Sequence, residues 1–268
     1  MFRNLVWLSV FLIFAALGAG SPALAGESVE SFSIRDGGAF NVLVIDPGDT
    51  AIAVILFAGG KGIVNIPDDG RIGKNNNFLI RSRGRFAAND LITAVIDAPE
   101  NLREGKGLRK GFRVSGDHAA DVGAVIKRLR KRGANKVWLV GTSRGSISVA
   151  GTASHLGAAP KGPDGIVLTA SVVTPGDDPD TTLDADLTRI TVPALIVHHE
   201  KDACVVSPFA DIDPMKDGLA KAREVEVITV TGGDSGKPKN WCSGKSNHGF
   251  WKIENRVVTD IADWIKVR

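Results

Sequence analysis

The stretch Lys136–Ser146, which reads KVWLVGTSRGS, constrains the fold of this chain more than any other. Its apolar part, Val137–Val140, is short and rich in strand-forming residues, which predicts a buried β-strand. The chain then breaks at Gly141, presents Ser143, and continues through Gly145 into small residues that suit a helix. A strand, a sharp turn and a helix are therefore expected in direct succession.

Residues 141–145 fit the pattern G-x-S-x-G, in which the serine sits in a strained turn with its hydroxyl exposed. Glycine is expected on both sides, because the neighbouring chain passes too close for a side chain. The helix predicted from about Gly145 to His155 directs its N-terminus at Ser143 and favours negative charge there. For the motif alone, the alternative is an ordinary strand–turn–helix in which the serine is a cap.

An acid and a histidine follow in the rest of the chain. Val192–His199 has the pattern of a second buried strand, and Asp202 comes just after its carboxyl end. The sequence Asn-His-Gly-Phe at 247–250 places His248 before a predicted amphipathic helix, Phe250–Val267. Serine, acid and histidine therefore occur in that order along the chain.

This order, together with G-x-S-x-G, resembles the α/β-hydrolase family over about residues 40 to 265. The resemblance implies a catalytic triad in which Ser143 is the nucleophile, His248 the base and Asp202 the acid. Glu200 and Asp211 remain alternatives for the acid.

The resemblance also implies an α/β fold, and the alternation of predicted strands and helices favours the same architecture. We expect a mostly parallel central sheet with helices on both faces, built from residues 26–268 as one domain. Sites in such sheets lie at the carboxyl ends of the strands. The acidic segment Ser171–Arg189 stands where the family inserts a lid, and its shortness predicts an open site. Its acids match no calcium-loop spacing, so a solvated loop is expected.

The loop AGGKG at 58–62 follows another predicted buried strand, Ala51–Phe57. In the family this loop supplies one of two backbone donors that stabilise an oxyanion. We assign the donors to the N–H groups of Arg144 and Gly60. Ala58 stands where many members carry histidine, so the identity of the second donor stays open.

Basic residues are concentrated in Glu100–Ser115, which leaves the carboxyl end of a predicted strand. Cations that line a cleft attract anionic substrates, and salt weakens the attraction. We therefore take Lys61, Arg109 and Lys110 as candidate substrate-binding residues. Solvated surface charge is the alternative explanation.

Residues 1–25 have the pattern of a signal peptide. Arg3 supplies the positive start, Leu5–Leu17 is almost entirely apolar, and Ala-Leu-Ala at 23–25 fits a cleavage site. Cleavage there predicts a periplasmic or secreted protein without stable membrane insertion. The alternative is an uncleaved anchor, which the short apolar run disfavours.

The two cysteines lie close in sequence to the predicted acid and base. Cys204 lies two residues after Asp202, and Cys242 lies six residues before His248. Export permits a disulfide, which would join the acid loop to the histidine loop. Two unpaired thiols are the alternative.

The formal net charge of +3, from 33 basic and 30 acidic residues, supplies no bulk electrostatic argument for nucleic acid. No cofactor or metal motif is recognisable, so none is expected. The family resemblance implies a serine hydrolase that cleaves a small or medium ester, thioester or amide through an acyl-enzyme. A catalytically silent binding protein of the same fold is one alternative, and a membrane-tethered or nucleic-acid-binding protein is another. Neither the substrate nor the oligomeric state follows from the sequence.

Overall fold

The computed structural model describes residues 26–34, 38–109 and 111–268. The predicted signal peptide and Lys110 therefore lie outside the described residues. The strands are β1 (Gly26–Ser33), β2 (Ala39–Asp46), β3 (Ile52–Phe57), β4 (Ile92–Ile96), β5 (Lys136–Thr142), β6 (Gly165–Thr169), β7 (Ala194–His199) and β8 (Val225–Val230). The helices are α1 (Phe78–Ala87), α2 (Glu100–Arg103), α3 (Gly116–Lys131), α4 (Arg144–Leu156), α5 (Asp213–Gly218) and α6 (Glu254–Lys266).

The eight strands form one sheet in the order β1-β2-β4-β3-β5-β6-β7-β8. β1 and β2 form an antiparallel hairpin, and β2 pairs antiparallel with β4. All other neighbouring strands are parallel. The predicted mostly parallel sheet is therefore confirmed. Gly141 in β5 lies opposite Phe57 in β3 and Leu168 in β6, so these three strands end at the same level.

Side chains of each central strand alternate between the two faces of the sheet, as the pleat requires. On one face, residues such as Ile55, Leu139 and Ile196 pack with the buried sides of α3 and α4. On the other face, Leu56 and Val140 pack with α1 and α6. The two cores explain why the central strands are apolar almost throughout, because neither face meets water.

Backbone geometry sets where three of the helices begin or end. α3 is capped by Ser115, whose Oγ accepts the N–H of His118 at 3.2 Å, and Asp117 lies in its first turn. α6 begins four residues later than predicted, because Phe250 and Lys252 have positive φ angles of 54° and 70° that a helix excludes. After α5 the chain turns back to pair β8 with β7, and the Arg223 N–H donates to the Thr191 carbonyl at 3.1 Å just ahead of that pairing.

Among the described residues, no helix is long and apolar enough to cross a membrane.

Candidate active site

Ser143 occupies the turn between β5 and α4. Its backbone has φ 75° and ψ −121°, a conformation that costs a non-glycine residue energy, and its N–H donates to the Thr169 carbonyl at 3.0 Å. A Cβ at Gly141 would lie 2.3 Å from the Gly145 carbonyl oxygen, and a Cβ at Gly145 would lie 2.2 Å from that of Phe57. Both glycines of the motif are therefore required by close backbone approach.

The structure brings His248 directly against Ser143. The His248 Nε2 lies 2.9 Å from the Ser143 Oγ, and the His248 Nδ1 lies 2.8 Å from the Asp202 Oδ2. The neighbouring Asn247 donates its side-chain N–H to the Lys201 carbonyl at 2.9 Å, which ties the histidine loop to the acid loop. A continuous hydrogen-bonded chain thus runs from the serine hydroxyl to the carboxylate.

The Asp202 carboxylate is buried at the end of β7. Burial alone would raise its pKa, but hydrogen bonds from His198 and His248, and from the Cys204 N–H at 2.9 Å, lower the pKa to about 2. The carboxylate is therefore ionised at neutral pH and suited to accept a proton-bearing imidazole nitrogen.

The two alternative acids are placed elsewhere. The Asp211 carboxylate accepts the hydroxyl of Thr174 at 3.2 Å, and the Glu200 carboxylate lies 3.6 Å from the Lys201 Nζ. The geometry favours Asp202 as the partner of the histidine.

Two backbone N–H groups adjoin the serine. Arg144 is the first residue of α4, so its N–H has no acceptor within the helix. Gly60 has φ 57° in the turn that the Gly62 N–H closes onto the Gly59 carbonyl at 3.1 Å. The Gly60 N–H donates to no group in the described part of the chain. Gly60 and Ser143 line the same small cavity of about 50 Å³.

A buried guanidinium supports the Gly60 loop. Arg113 is 1% exposed and donates to the Gly60 carbonyl at 3.1 Å, to the Ser148 hydroxyl at 2.8 Å and to the Leu108 carbonyl at 3.0 Å. Burial, with the adjacent charge of Arg144, lowers the pKa of Arg113 to about 9, so it is still cationic at neutral pH. In the sequence, Arg113 is one of several basic residues of the segment Glu100–Ser115, and no local signal distinguishes it.

Two of the candidate substrate-binding cations, Lys61 and Arg109, have partners in the protein. The Lys61 side chain is exposed, and its Nζ donates to the Gly105 carbonyl at 2.9 Å. The Arg109 Nε lies 3.5 Å from the Asp178 carboxylate.

Asp178 corrects the expectation that the acidic segment is a solvated loop. Asp178 is only 4% exposed and forms a salt bridge with Arg144, the residue after the serine. The Asp180 carboxylate accepts the Gly111 N–H at 2.6 Å. The segment is therefore packed onto the site by ion pairs and hydrogen bonds that a count of acidic residues does not reveal.

Cys204 and Cys242 form a disulfide with a Cα–Cα distance of 4.5 Å. Cys242 also lines the cavity at Ser143. Within the described ranges, no group of three or more His, Cys, Asp or Glu side chains is placed to hold a metal ion.

No family model matches the chain, and no curated protein matches its sequence. Solved structures do match. An esterase of Pyrococcus furiosus superimposes with a TM-score of 0.63 at 10% identity, over 91% of this chain and 93% of that one. The chain has the α/β-hydrolase fold.

Other structures with this hydrolase fold match to a similar extent. An esterase from Rhizomucor miehei has a TM-score of 0.60 at 12% identity, over 93% of this chain and 84% of its own. A putative α/β hydrolase from Agrobacterium tumefaciens has a TM-score of 0.59 at 13% identity, over 89% and 94% of the two chains. The expected fold is thus confirmed by likeness in three dimensions where sequence identity is low.

Proposed function

We propose that this protein is an exported serine hydrolase that cleaves a small or medium ester through an acyl-enzyme, with Ser143, His248 and Asp202 as its triad. The observation that carries the proposal is the hydrogen-bonded chain of 2.9 Å and 2.8 Å that links the three side chains. A half-buried serine in a strained turn, a histidine on its hydroxyl and an ionised acid behind the histidine are the parts that acyl transfer requires.

In the acylation step, the Ser143 Oγ attacks the ester carbonyl carbon while the His248 Nε2 accepts the hydroxyl proton. The carbonyl electrons move to oxygen, and the backbone N–H groups of Arg144 and Gly60 donate to the oxyanion. When the tetrahedral intermediate collapses, the bond to the alkoxy oxygen breaks, and that oxygen takes the proton from His248. Asp202 accepts from the His248 Nδ1–H throughout and stabilises the imidazolium.

Deacylation repeats these roles with water as the nucleophile. His248 accepts a proton from water, the hydroxide oxygen bonds to the acyl carbon, and the Ser143 Oγ leaves with the proton returned by His248. Thioesters and amides would follow the same sequence, with a thiol or amine as the leaving group.

The surroundings of the serine favour small or medium substrates. The cavity at Ser143 is about 50 Å³. The segment between β6 and β7 carries two single turns of 3₁₀ helix, Thr182–Asp184 and Leu187–Arg189, and no longer helix that could cover the site. Lys61, Arg109 and Lys110 are proposed to favour substrates that carry a negative charge.

Labelling with a fluorophosphonate, together with hydrolysis of nitrophenyl esters of graded acyl length, tests the proposal. The wild-type protein should be labelled on Ser143 and should turn over the shorter esters. Ser143→Ala should fold with an unchanged melting temperature, remain unlabelled and lose about 10⁴- to 10⁶-fold in kcat. A folded wild-type protein that neither reacts with the probe nor hydrolyses any ester would instead indicate a silent binding protein.

Export is tested separately from catalysis. When the full chain is produced in a bacterium with an oxidising periplasm, N-terminal sequencing should find Gly26 as the first residue of the periplasmic or secreted protein. Recovery of the intact chain in the membrane fraction would support the uncleaved anchor.

A further inference from the structure

Asn77 caps the N-terminus of α1 with the oxygen of its side-chain amide. The Oδ1 accepts the N–H groups of Leu79 at 3.1 Å and Ile80 at 3.4 Å. An amide nitrogen cannot accept these bonds, so the cap determines which end of the amide is the NH₂ group and where it points. The Asn77 N–H in turn donates to the Asn75 Oδ1 at 2.8 Å, which restrains the backbone ahead of the helix.

The NH₂ group of Asn77 takes no part in the helix cap, and Asn77 lies near Ser143. Asn77 lines the same cavity as Ser143 and His248. A Cβ at Gly59 would lie 2.9 Å from the Ser143 Cβ and 3.4 Å from the Asn77 Nδ2, so the nucleophile and the amide nitrogen both lie close to this bare glycine. The Asn77 Nδ2 makes no hydrogen bond to the described part of the chain. Two N–H bonds therefore stay available to a bound molecule.

The segment that carries Asn77 is held rigidly against the histidine loop. Arg81 donates to the Asn76 carbonyl at 2.5 Å and to the Gly249 carbonyl at 2.6 Å, and its salt bridge to Glu254 measures 2.8 Å. The Arg81 and Glu254 side chains are 13% and 11% exposed, so solvent screens the pair little. The position of the Asn77 amide relative to His248 is thus set before any substrate arrives.

We propose that the Asn77 Nδ2–H is a side-chain donor of the oxyanion hole and acts alongside the backbone N–H groups of Arg144 and Gly60. This inference rests on the proposed function, because only acyl transfer to Ser143 creates an oxyanion here. A neutral amide held by a helix cap meets developing charge without reorganisation, and such a donor in another hydrolase accounts for about 10²- to 10³-fold in kcat.

The cap uses the side-chain oxygen of Asn77, and the proposed donor is its side-chain nitrogen. Substitutions can therefore remove the donor and keep the cap. Asn77→Ser and Asn77→Asp both retain an oxygen that caps a helix well, and both remove the NH₂ group. Asn77→Ala removes cap and donor together. Ser115→Ala removes the cap of α3, where the Ser115 Oγ accepts from the His118 N–H and donates to the Phe112 carbonyl. It serves as the matched control for cap loss alone.

The experiment measures kcat, KM and melting temperature for these four variants with a nitrophenyl ester, and the end point of fluorophosphonate labelling. Asn77→Ser should keep its melting temperature, lose about 10²- to 10³-fold in kcat with little change in KM, and still reach full labelling of Ser143 after long incubation. Asn77→Asp should lose at least as much, because a carboxylate repels the oxyanion. Ser115→Ala should lower the melting temperature and leave kcat unchanged.

The outcomes separate this inference from the proposed function. If the wild type hydrolyses esters and Asn77→Ser and Asn77→Asp retain its kcat, Asn77 is a helix cap only and the assignment is wrong. If Asn77→Ser does not fold, the kcat of Asn77→Asp decides. If the wild type neither labels nor hydrolyses, the proposed function itself has failed, and this inference falls with it.

Discussion

The disulfide between Cys204 and Cys242 joins the loop that carries Asp202 to the loop that carries His248. Both cysteines lie next to residues of the proposed triad. The Cys204 N–H donates to the Asp202 Oδ1 at 2.9 Å, and Cys242 lines the cavity at Ser143. The bond therefore restrains the acid and the histidine relative to each other at the point where their hydrogen bond forms.

Replacing both cysteines, Cys204→Ala with Cys242→Ala, should lower the free energy of unfolding by roughly 3–4 kcal/mol. The cysteines are 38 residues apart, and a cross-link of that length removes about this much entropy from the unfolded chain. Urea unfolding with and without reductant measures the loss, and the reduced wild type should match the double variant. The kcat should also fall, because the Asp202–His248 geometry loses its covalent restraint. A midpoint that reductant does not move, or two free thiols in the exported protein, would contradict the prediction.

Asp202→Asn should lower the free energy of unfolding by an amount that depends on pH. The pKa of Asp202 is lowered to about 2 in the folded state, against about 3.9 in an unfolded chain. A lowered carboxyl pKa stabilises the folded state above about pH 4, by about 2 kcal/mol, and this contribution disappears as the pH falls towards 2.

Urea unfolding of the wild type and Asp202→Asn between pH 2 and 7 measures that contribution. The difference in unfolding free energy should be largest near neutrality and should shrink below about pH 4. At neutral pH, kcat should also fall by about 10⁴-fold, as in other triads with this change. A difference that stays constant over the whole range would show that the carboxylate charge is not what stabilises the loop.

Arg113→Met should reduce both stability and turnover. The change leaves the carbonyl oxygens of Gly60 and Leu108 and the Ser148 hydroxyl without their donor, at about 1–3 kcal/mol for each buried group left unpaired. The Gly60 turn then loses its support, so kcat should fall more than KM rises. Lys106→Met, at an exposed position of the same loop, is the matched control and should change neither quantity. Full activity in Arg113→Met would show that the turn holds its geometry unaided.

Asp178→Asn should increase any preference for anionic esters. Asp178 pairs with Arg109 and Arg144, so its carboxylate offsets the positive charge that the sequence places beside the site. Matched neutral and carboxylate-bearing esters, compared at low and high salt, measure the effect as a ratio of kcat/KM values.

The wild-type ratio should favour the anionic ester at low salt, rise in Asp178→Asn, and fall in Arg109→Ala and in Lys110→Ala, with all differences shrinking as salt increases. Asp177→Asn, next to it but exposed, is the control and should behave as the wild type. Equal kcat/KM values for the two esters at low salt would show that these cations are ordinary surface charges without a role in substrate binding.

Some of the candidate site could be selected from the sequence because its residues adjoin strongly patterned elements. Ser143 follows the apolar strand β5 and stands between two glycines, and Asp202 follows the equally apolar strand β7. His248 precedes an amphipathic helix. Local periodicity is enough to mark these positions, since the ends of parallel strands meet at one edge of a sheet.

Helix boundaries that depend on the conformation of single backbone positions could not be predicted from the sequence pattern. Nothing in the pattern of 250–267 signals that Phe250 and Lys252 adopt positive φ angles and delay α6. Likewise, both Ser115 and Asp117 are good caps by type, and only the bond from the His118 N–H distinguishes them.

The sequence by itself determined the alternation of strands and helices, and with it the class of fold. Only the tertiary structure decided which side chains meet: that Arg113 is buried under Gly60 while Lys106 of the same loop is exposed, that Asp178 pairs with Arg144, and that Asn77 lines the cavity at Ser143. Hydrophobic periodicity reflects which face of each helix or strand is buried in the core and which faces water. It can therefore be recognised in the sequence alone. Contacts between polar side chains of distant segments depend on how those segments pack, which no local pattern encodes.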